Sequence, residues 1–140
     1  MIRHSKLPND ILDRIQDAAT YLESRQDVIF AYLFGGLSKA KPKPLSDVDI
    51  AIYIFEEKAC VQAKKEIIED LVDILKTDEI DIVVLNQSSL SLNMNVLKRN
   101  SILVDKKPFF RHAYQSLIMR KYFDYSRLES TILKRRFYHG

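Results

Sequence analysis

Cysteine, histidine, glycine and proline are all scarce in this chain of 140 residues. Its single cysteine, Cys60, cannot form an internal disulfide, and its three scattered histidines have no zinc-ligand spacing. Three glycines and four prolines are too few for a collagen-like or low-complexity chain. These absences leave an ordinary globular domain, for which a hydrophobic content of 46% supplies one core.

Long apolar runs are also missing from the sequence. The longest, such as residues 28–34, fall far short of the ~20 residues that a membrane helix needs. No apolar segment of the signal-peptide type follows Met1. We therefore expect a cytoplasmic protein without a membrane partner. The net charge of +3, from 22 basic and 19 acidic residues, says little about other partners.

Hydrophobic periodicity divides the chain into helices and strands. Apolar residues recur at helical spacing over residues 9–22, 56–75 and 108–137, and a shorter helix is predicted over residues 88–99. Runs of β-branched and apolar residues predict strands over residues 28–34, 46–54, 80–85 and 101–104. This order predicts an α/β (α+β) fold: a small mixed β-sheet flanked by helices, in a single domain of residues 1–140 with its core at about 25–105.

Three aspartates lie within the predicted strands. Asp47 and Asp49 alternate with apolar residues, so both carboxylates lie on one face, about 7 Å apart along the backbone. Asp81 is the only charged residue of the strand predicted over residues 80–85. If that strand neighbours the one with Asp47 and Asp49, three carboxylates meet on one face and can bind Mg²⁺.

Asp81 has two interpretations. Its apolar neighbours Ile80 and Ile82 favour a buried carboxylate. Such a group needs a cation, because a buried unpaired charge costs several kcal/mol. The alternative is a carboxylate at a strand end in solvent, and the sequence leaves both open.

A glycine pair, Gly35-Gly36, ends the first predicted strand, and Ser38 follows it. Glycine lets backbone N–H groups approach a phosphate closely, and Ser38 adds a hydroxyl. A plain strand-ending turn explains the same residues when they are considered alone.

The spacing of these motifs resembles a known signature. Gly35-Gly36, the ten residues 37–46 and then Asp47-Val48-Asp49 resemble the Gly-Ser, ten residues, Asp-x-Asp pattern of DNA polymerase β-like nucleotidyltransferases. Asp81 stands in a later strand, where that superfamily keeps its third carboxylate. In size and layout the chain is similar to the minimal nucleotidyltransferase (MNT) antitoxins of HEPN–MNT toxin–antitoxin pairs. The resemblance covers residues 28–104 well and the terminal helices only by length and position.

The resemblance implies a polymerase β-like nucleotidyltransferase fold that uses Mg²⁺ as cofactor and ATP as substrate. The implied phosphate-binding residues are Gly35, Gly36 and Ser38, and the implied catalytic and metal-binding residues are Asp47, Asp49 and Asp81. For MNT antitoxins it further implies transfer of AMP to a tyrosine of a cognate HEPN ribonuclease toxin, within a hetero-oligomeric complex. We expect no direct binding to nucleic acid.

One position departs from the pattern, because Gly36 stands where the usual pair has serine. The alternative function is therefore a catalytically weak relative that neutralises its partner by binding alone. Nucleotidyl transfer to a small molecule is a third alternative, although 140 residues leave little room for the extra substrate domain that such enzymes usually carry.

Aromatic residues are concentrated in the predicted final helix. The helix has more aromatic residues than one buried stripe needs. They are Phe109, Phe110, Tyr114, Tyr122, Phe123, Tyr125, Phe137 and Tyr138. Packing in the core is one explanation for them, and a surface for a partner is the other.

Overall fold

The computed structural model of the chain describes residues 10–35 and 48–138, with side chains as far as residue 134. Within that part the helices are α1 (Ile11–Ser24), α2 (Cys60–Leu75), α3 (Leu90–Lys98) and α4 (Pro108–Tyr138). The strands are β1 (Val28–Phe34), β2 (Val48–Ile54), β3 (Ile80–Val84) and β4 (Asn100–Asp105). The predicted elements are confirmed there, except that a separate 3₁₀ turn, Glu57–Ala59, precedes α2.

The described strands form one sheet in the order β3-β2-β1-β4. Strand β1 is antiparallel to both β2 and β4, whereas β2 and β3 are parallel. Parallel neighbours need a crossover connection, and α2 provides it. The prediction of a small mixed sheet flanked by helices is confirmed.

Alternation along β2 divides the interior into two layers. Ile50, Ile52 and Ile54 are fully buried on one face, in a cluster with side chains of α1 and α2. Ala51 points to the other face, in a cluster that includes side chains of α3 and α4. Because residues i and i+2 of a strand share a face, Asp49 lies on the same side of the sheet as Ala51.

The side of the sheet that carries Ala51 is here named the aromatic face, because Phe30, Tyr32 and Phe34 of β1 lie on it. Helix α4 packs its first turns there. The rings of Tyr114 and Phe30 have centroids 5.4 Å apart, at an interplanar angle of 49°. Part of the aromatic content of α4 therefore belongs to the core.

An ion pair fixes the start of α4. Arg111 is buried, and its Nη2 donates to Oδ2 of Asp105 at 3.0 Å. This hydrogen bond raises the pKa of Arg111, so the guanidinium stays charged although it is out of water. Removing either partner leaves the other charge poorly compensated, which ties the first turn of α4 to the end of β4.

The second half of α4 lies outside the core. Ile118 is its last buried residue, and every described side chain from Phe123 to Lys134 is exposed. Despite its length, neither α4 nor any other helix in the described ranges is long and apolar enough to cross a membrane.

The side chain of Asn86 forms a clamp on the backbone of Ile54, the last residue of β2. Asn86 accepts from the backbone N–H of Ile54 at 2.9 Å and donates to the carbonyl of Ile54 at 2.7 Å. Its amide thus imitates the backbone of a further strand residue and satisfies both polar groups at the end of β2.

We expect Asn86→Ala to lower the free energy of unfolding by about 1–3 kcal/mol, because two partly buried backbone groups lose their partner. Urea unfolding followed by circular dichroism measures this. Gln87→Ala is the matched control, since it removes an exposed amide from the adjacent position. Equal stabilities of the two variants would contradict the clamp.

Candidate active site

The register of the parallel strands brings two of the predicted carboxylates together. Asp49 of β2 lies directly opposite Asp81 of β3, so both side chains leave the sheet on the aromatic face. Both residues stand near the start of their strands. The pair therefore occupies one end of the sheet, which we name the acidic end.

The two carboxylates differ in exposure. Asp49 is half-buried, whereas Asp81 is exposed. Of the two placements that the sequence left open for Asp81, the structure shows the solvent-exposed one. The reason is that Ile80 and Ile82 belong to the opposite face, so they do not surround Asp81.

Gly35, directly after β1, lies against the carboxylate of Asp49. Strand β1 ends beside β2 with Phe34 opposite Asp49, and Gly35 follows with a φ of +72°. A Cβ at Gly35 would overlap Oδ2 of Asp49 and would lie 3.3 Å from its Cγ. Both the left-handed backbone and the close approach therefore require glycine at this position.

The donor set of the acidic end suits a hard cation. Two carboxylates on adjacent strands supply oxygen ligands, which Mg²⁺ prefers, and the half-buried one is less screened by solvent. In the part of the chain that the structure describes, no group of three acidic, histidine or cysteine side chains is arranged to hold a metal. The predicted third ligand, Asp47, lies outside the described residues.

The predicted phosphate-binding residues also lie partly outside the described part of the chain. Gly35 is described and adjoins Asp49, whereas Gly36 and Ser38 lie outside the described residues. Their roles, like that of Asp47, stay predictions.

One feature of the acidic end was not predicted from the sequence. Strand β4 enters the sheet with Asn100 opposite Phe34, so α3 and the start of β4 reach the same end as the carboxylates. Lys98, the last residue of α3, has its Nζ 5.7 Å from the ring centroid of Tyr122 in α4. Only long-range strand pairing places these residues together, and no local pattern in the sequence indicates it.

We expect Gly35→Ala to destabilise the fold by about 2–4 kcal/mol, from backbone strain and from overlap with the Asp49 carboxylate. A double-mutant cycle with Asp49→Ala, measured by urea unfolding, separates the two causes. Removal of the carboxylate leaves the Asp49 Cβ at an ordinary 3.5 Å, so more than about 1 kcal/mol should be recovered. Strict additivity of the two substitutions would show that no overlap exists.

Comparisons with known proteins identify the family of the chain. The profile of the family described as Polymerase beta, Nucleotidyltransferase matches residues 16–109. No curated protein sequence matches the chain.

Several solved structures share the fold. A toxin–antitoxin with AMP-PNP has a TM-score of 0.70 at 21% identity and covers 85% of this chain and 95% of that chain. A tri-AMPylated Shewanella oneidensis HEPN toxin in complex with an MNT antitoxin gives 0.61 at 21% identity, over 90% and 92%. The toxin–antitoxin MntA–HepT gives 0.66 at 19% identity, over 87% and 96%.

At these identities the structural likeness establishes the fold, and the family profile establishes membership. The matched segment contains β1 to β4 with Gly35, Asp49 and Asp81. The chain belongs to the polymerase beta nucleotidyltransferase family.

Proposed function

We propose that the chain is a Mg²⁺-dependent protein adenylyltransferase, which transfers AMP from ATP to a tyrosine of a cognate HEPN toxin and so acts as its antitoxin. The observation that carries the proposal is the Asp49–Asp81 pair, in register across two parallel strands and closed on one side by Gly35. Membership of a nucleotidyltransferase family supports the reaction class.

Each predicted site residue has a role in this proposal. Asp47, Asp49 and Asp81 hold Mg²⁺, and Gly35, Gly36 and Ser38 contact the phosphates of ATP. Bound Mg²⁺ would neutralise the negative charge of the triphosphate.

The reaction is a displacement at the α-phosphorus of ATP. The phenolic oxygen of the acceptor forms a bond to that phosphorus, the bond to the bridging oxygen of the β-phosphate breaks, and pyrophosphate leaves. The phenolic proton passes to a carboxylate or to water. Asp81 is suited to orient the phenol and accept the proton, because its carboxylate is exposed where an acceptor protein arrives from solvent.

The partner is proposed from the solved relatives. One relative is a toxin–antitoxin with AMP-PNP, and another holds a tri-AMPylated HEPN toxin beside an MNT antitoxin. Nucleotide and partner in those structures fit the two requirements of the proposed site, an α-phosphate donor and a protein acceptor. We place the activity in the cytoplasm and in a single domain, with a catalytic core at about residues 25–105.

A second function, neutralisation by binding alone, is supported by Gly36. The family pattern has serine there, and its hydroxyl is one contact to the phosphates that this chain lacks. The following variants distinguish the two functions.

We expect Asp49→Asn to slow AMP transfer about 100-fold or more, and Asp81→Asn about 10- to 100-fold, with stability little changed. Each substitution keeps the shape of the side chain and removes its charge. Transfer is measured as the mass gain of the proposed HEPN partner, in the presence of ATP and Mg²⁺. Chelation of Mg²⁺ should abolish it.

Asp78→Asn is the matched control, because it removes an exposed carboxylate three residues before Asp81 and should leave transfer unchanged. Wild-type rates in Asp49→Asn would overturn the assignment of the site. A stable complex without any mass gain in the wild type would instead establish neutralisation by binding alone.

We expect Gly36→Ser to lower the KM for ATP roughly 3- to 10-fold, which corresponds to about 1 kcal/mol, the net contribution of one typical hydrogen bond. Steady-state kinetics of AMP transfer measure it, with a serine introduced at an exposed helical position, Ala113→Ser, as the control. An unchanged KM would show that this position does not face the phosphates.

A further inference from the structure

Helix α4 crosses the aromatic face in the direction of the acidic end. Near its start, Tyr114 packs on Phe30, with ring centroids 5.4 Å apart. One residue later, Gln115 donates from Nε2 to the hydroxyl of Tyr32 at 2.8 Å. Tyr32 is closer than Phe30 to the end of β1, so the helix advances towards the carboxylates as it advances along β1.

The helix leaves the fold beside the acidic end. Tyr122 lies against Lys98, and Asn100, two residues after Lys98, pairs with Phe34. Phe34 in turn pairs with Asp49. Two strand spacings therefore separate Asn100 from Asp49, which is about 10 Å.

Beyond this point α4 projects without a partner in the described chain. At about 1.5 Å per residue, the helix from Phe123 to its end at Tyr138 extends about 24 Å. We name residues 119–134 of α4 the docking arm. Its length is comparable to the width of a small domain, and it starts at the end of the sheet that carries Asp49 and Asp81.

The docking arm exposes several large apolar side chains, and three of them form a stripe along one side. The residues Tyr125, Leu128 and Ile132 are 55%, 60% and 49% exposed. They follow the buried Ile118 by seven, ten and fourteen residues. At these spacings they lie on the same side of the helix as Ile118, which packs against the fold. A contiguous apolar stripe of this kind is unusual on a free surface and marks a place where another molecule binds.

The charges of the docking arm favour an acidic partner. Basic residues outnumber acidic ones in it: Arg120, Lys121, Arg127 and Lys134 against Asp124 and Glu129. The neighbouring carboxylate of Glu129 raises the pKa of Tyr125. Two copies of this arm would bring like charges together, so charge opposes pairing of the chain with itself.

We propose that the docking arm binds the protein that carries the accepting tyrosine, through an apolar surface with carboxylates at its margin, and so holds the acceptor at the acidic end. This inference rests on the proposed function. The inference adds to the proposed function a surface that binds the acceptor protein. This surface is separate from the residues that bind ATP and metal, and affinity for the acceptor depends on it.

The test compares Leu128→Asp with Ser130→Asp. Both substitutions place one negative charge in the same exposed part of α4, but Leu128 lies in the apolar stripe and Ser130 lies on the opposite side of the helix. Circular dichroism and thermal melting confirm that both variants fold as the wild type does.

Calorimetry with the proposed HEPN partner, without ATP, measures docking. We expect Leu128→Asp to weaken binding at least about tenfold and Ser130→Asp to change it less than about twofold. In the transfer reaction at saturating ATP, Leu128→Asp should raise the KM for the HEPN protein and leave kcat unchanged. Binding of a fluorescent ATP analogue should be equal in all three proteins.

The outcomes separate docking from chemistry. Equal binding by Leu128→Asp and Ser130→Asp overturns the docking arm, even if AMP is transferred. Selective weakening by Leu128→Asp supports the docking arm, even if no AMP is transferred and the proposed function fails. If sedimentation shows that Leu128→Asp dissociates a dimer of this chain and leaves HEPN binding unchanged, the stripe pairs two copies and the proposal is wrong.

Discussion

The register of β2 in the sheet is the constraint on which the site depends. A slip by one residue would turn Asp49 into the aliphatic layer beneath α1 and α2 and would expose Ile50 and Ile52. Burial of the isoleucines therefore holds Asp49 on the aromatic face, opposite Asp81. Gly35 adds a second constraint, because its missing side chain is what lets the end of β1 approach the carboxylate. Folding of the core and placement of the acidic pair follow from one pattern of alternation.

Local and long-range features differ in how far the sequence predicts them. Alternation along β2 is local, so the face of Asp49 could be predicted from the sequence. The sequence left the direction of β1 against β2 open, and the pairing of Asp49 with Asp81 depends on which strands become neighbours. The exposure of Asp81 could not be decided from the sequence, because its neighbours Ile80 and Ile82 point to the other face and do not surround it. Asp47, Gly36 and Ser38 stay predictions from the family pattern.

The final helix shows a further limit of periodicity. Its aromatic residues had two explanations, and the structure assigns each to a different part of α4. Tyr114 packs in the core, whereas Tyr125 and Leu128 are exposed. Both parts have the same helical spacing, so the pattern alone does not separate them. What separates them is the length of the sheet, which ends while the helix continues.

Asp81 has a consequence for association as well as for chemistry. Among the described strands, β3 is the outermost on its side of the sheet, so it presents backbone groups that could pair with a strand of another molecule. It is short, at five residues, and carries an exposed carboxylate near its start. A charge in that position repels a second identical edge, because two chains paired there would place like charges close together. The side chain that we propose to activate the acceptor thus also disfavours aggregation along this edge.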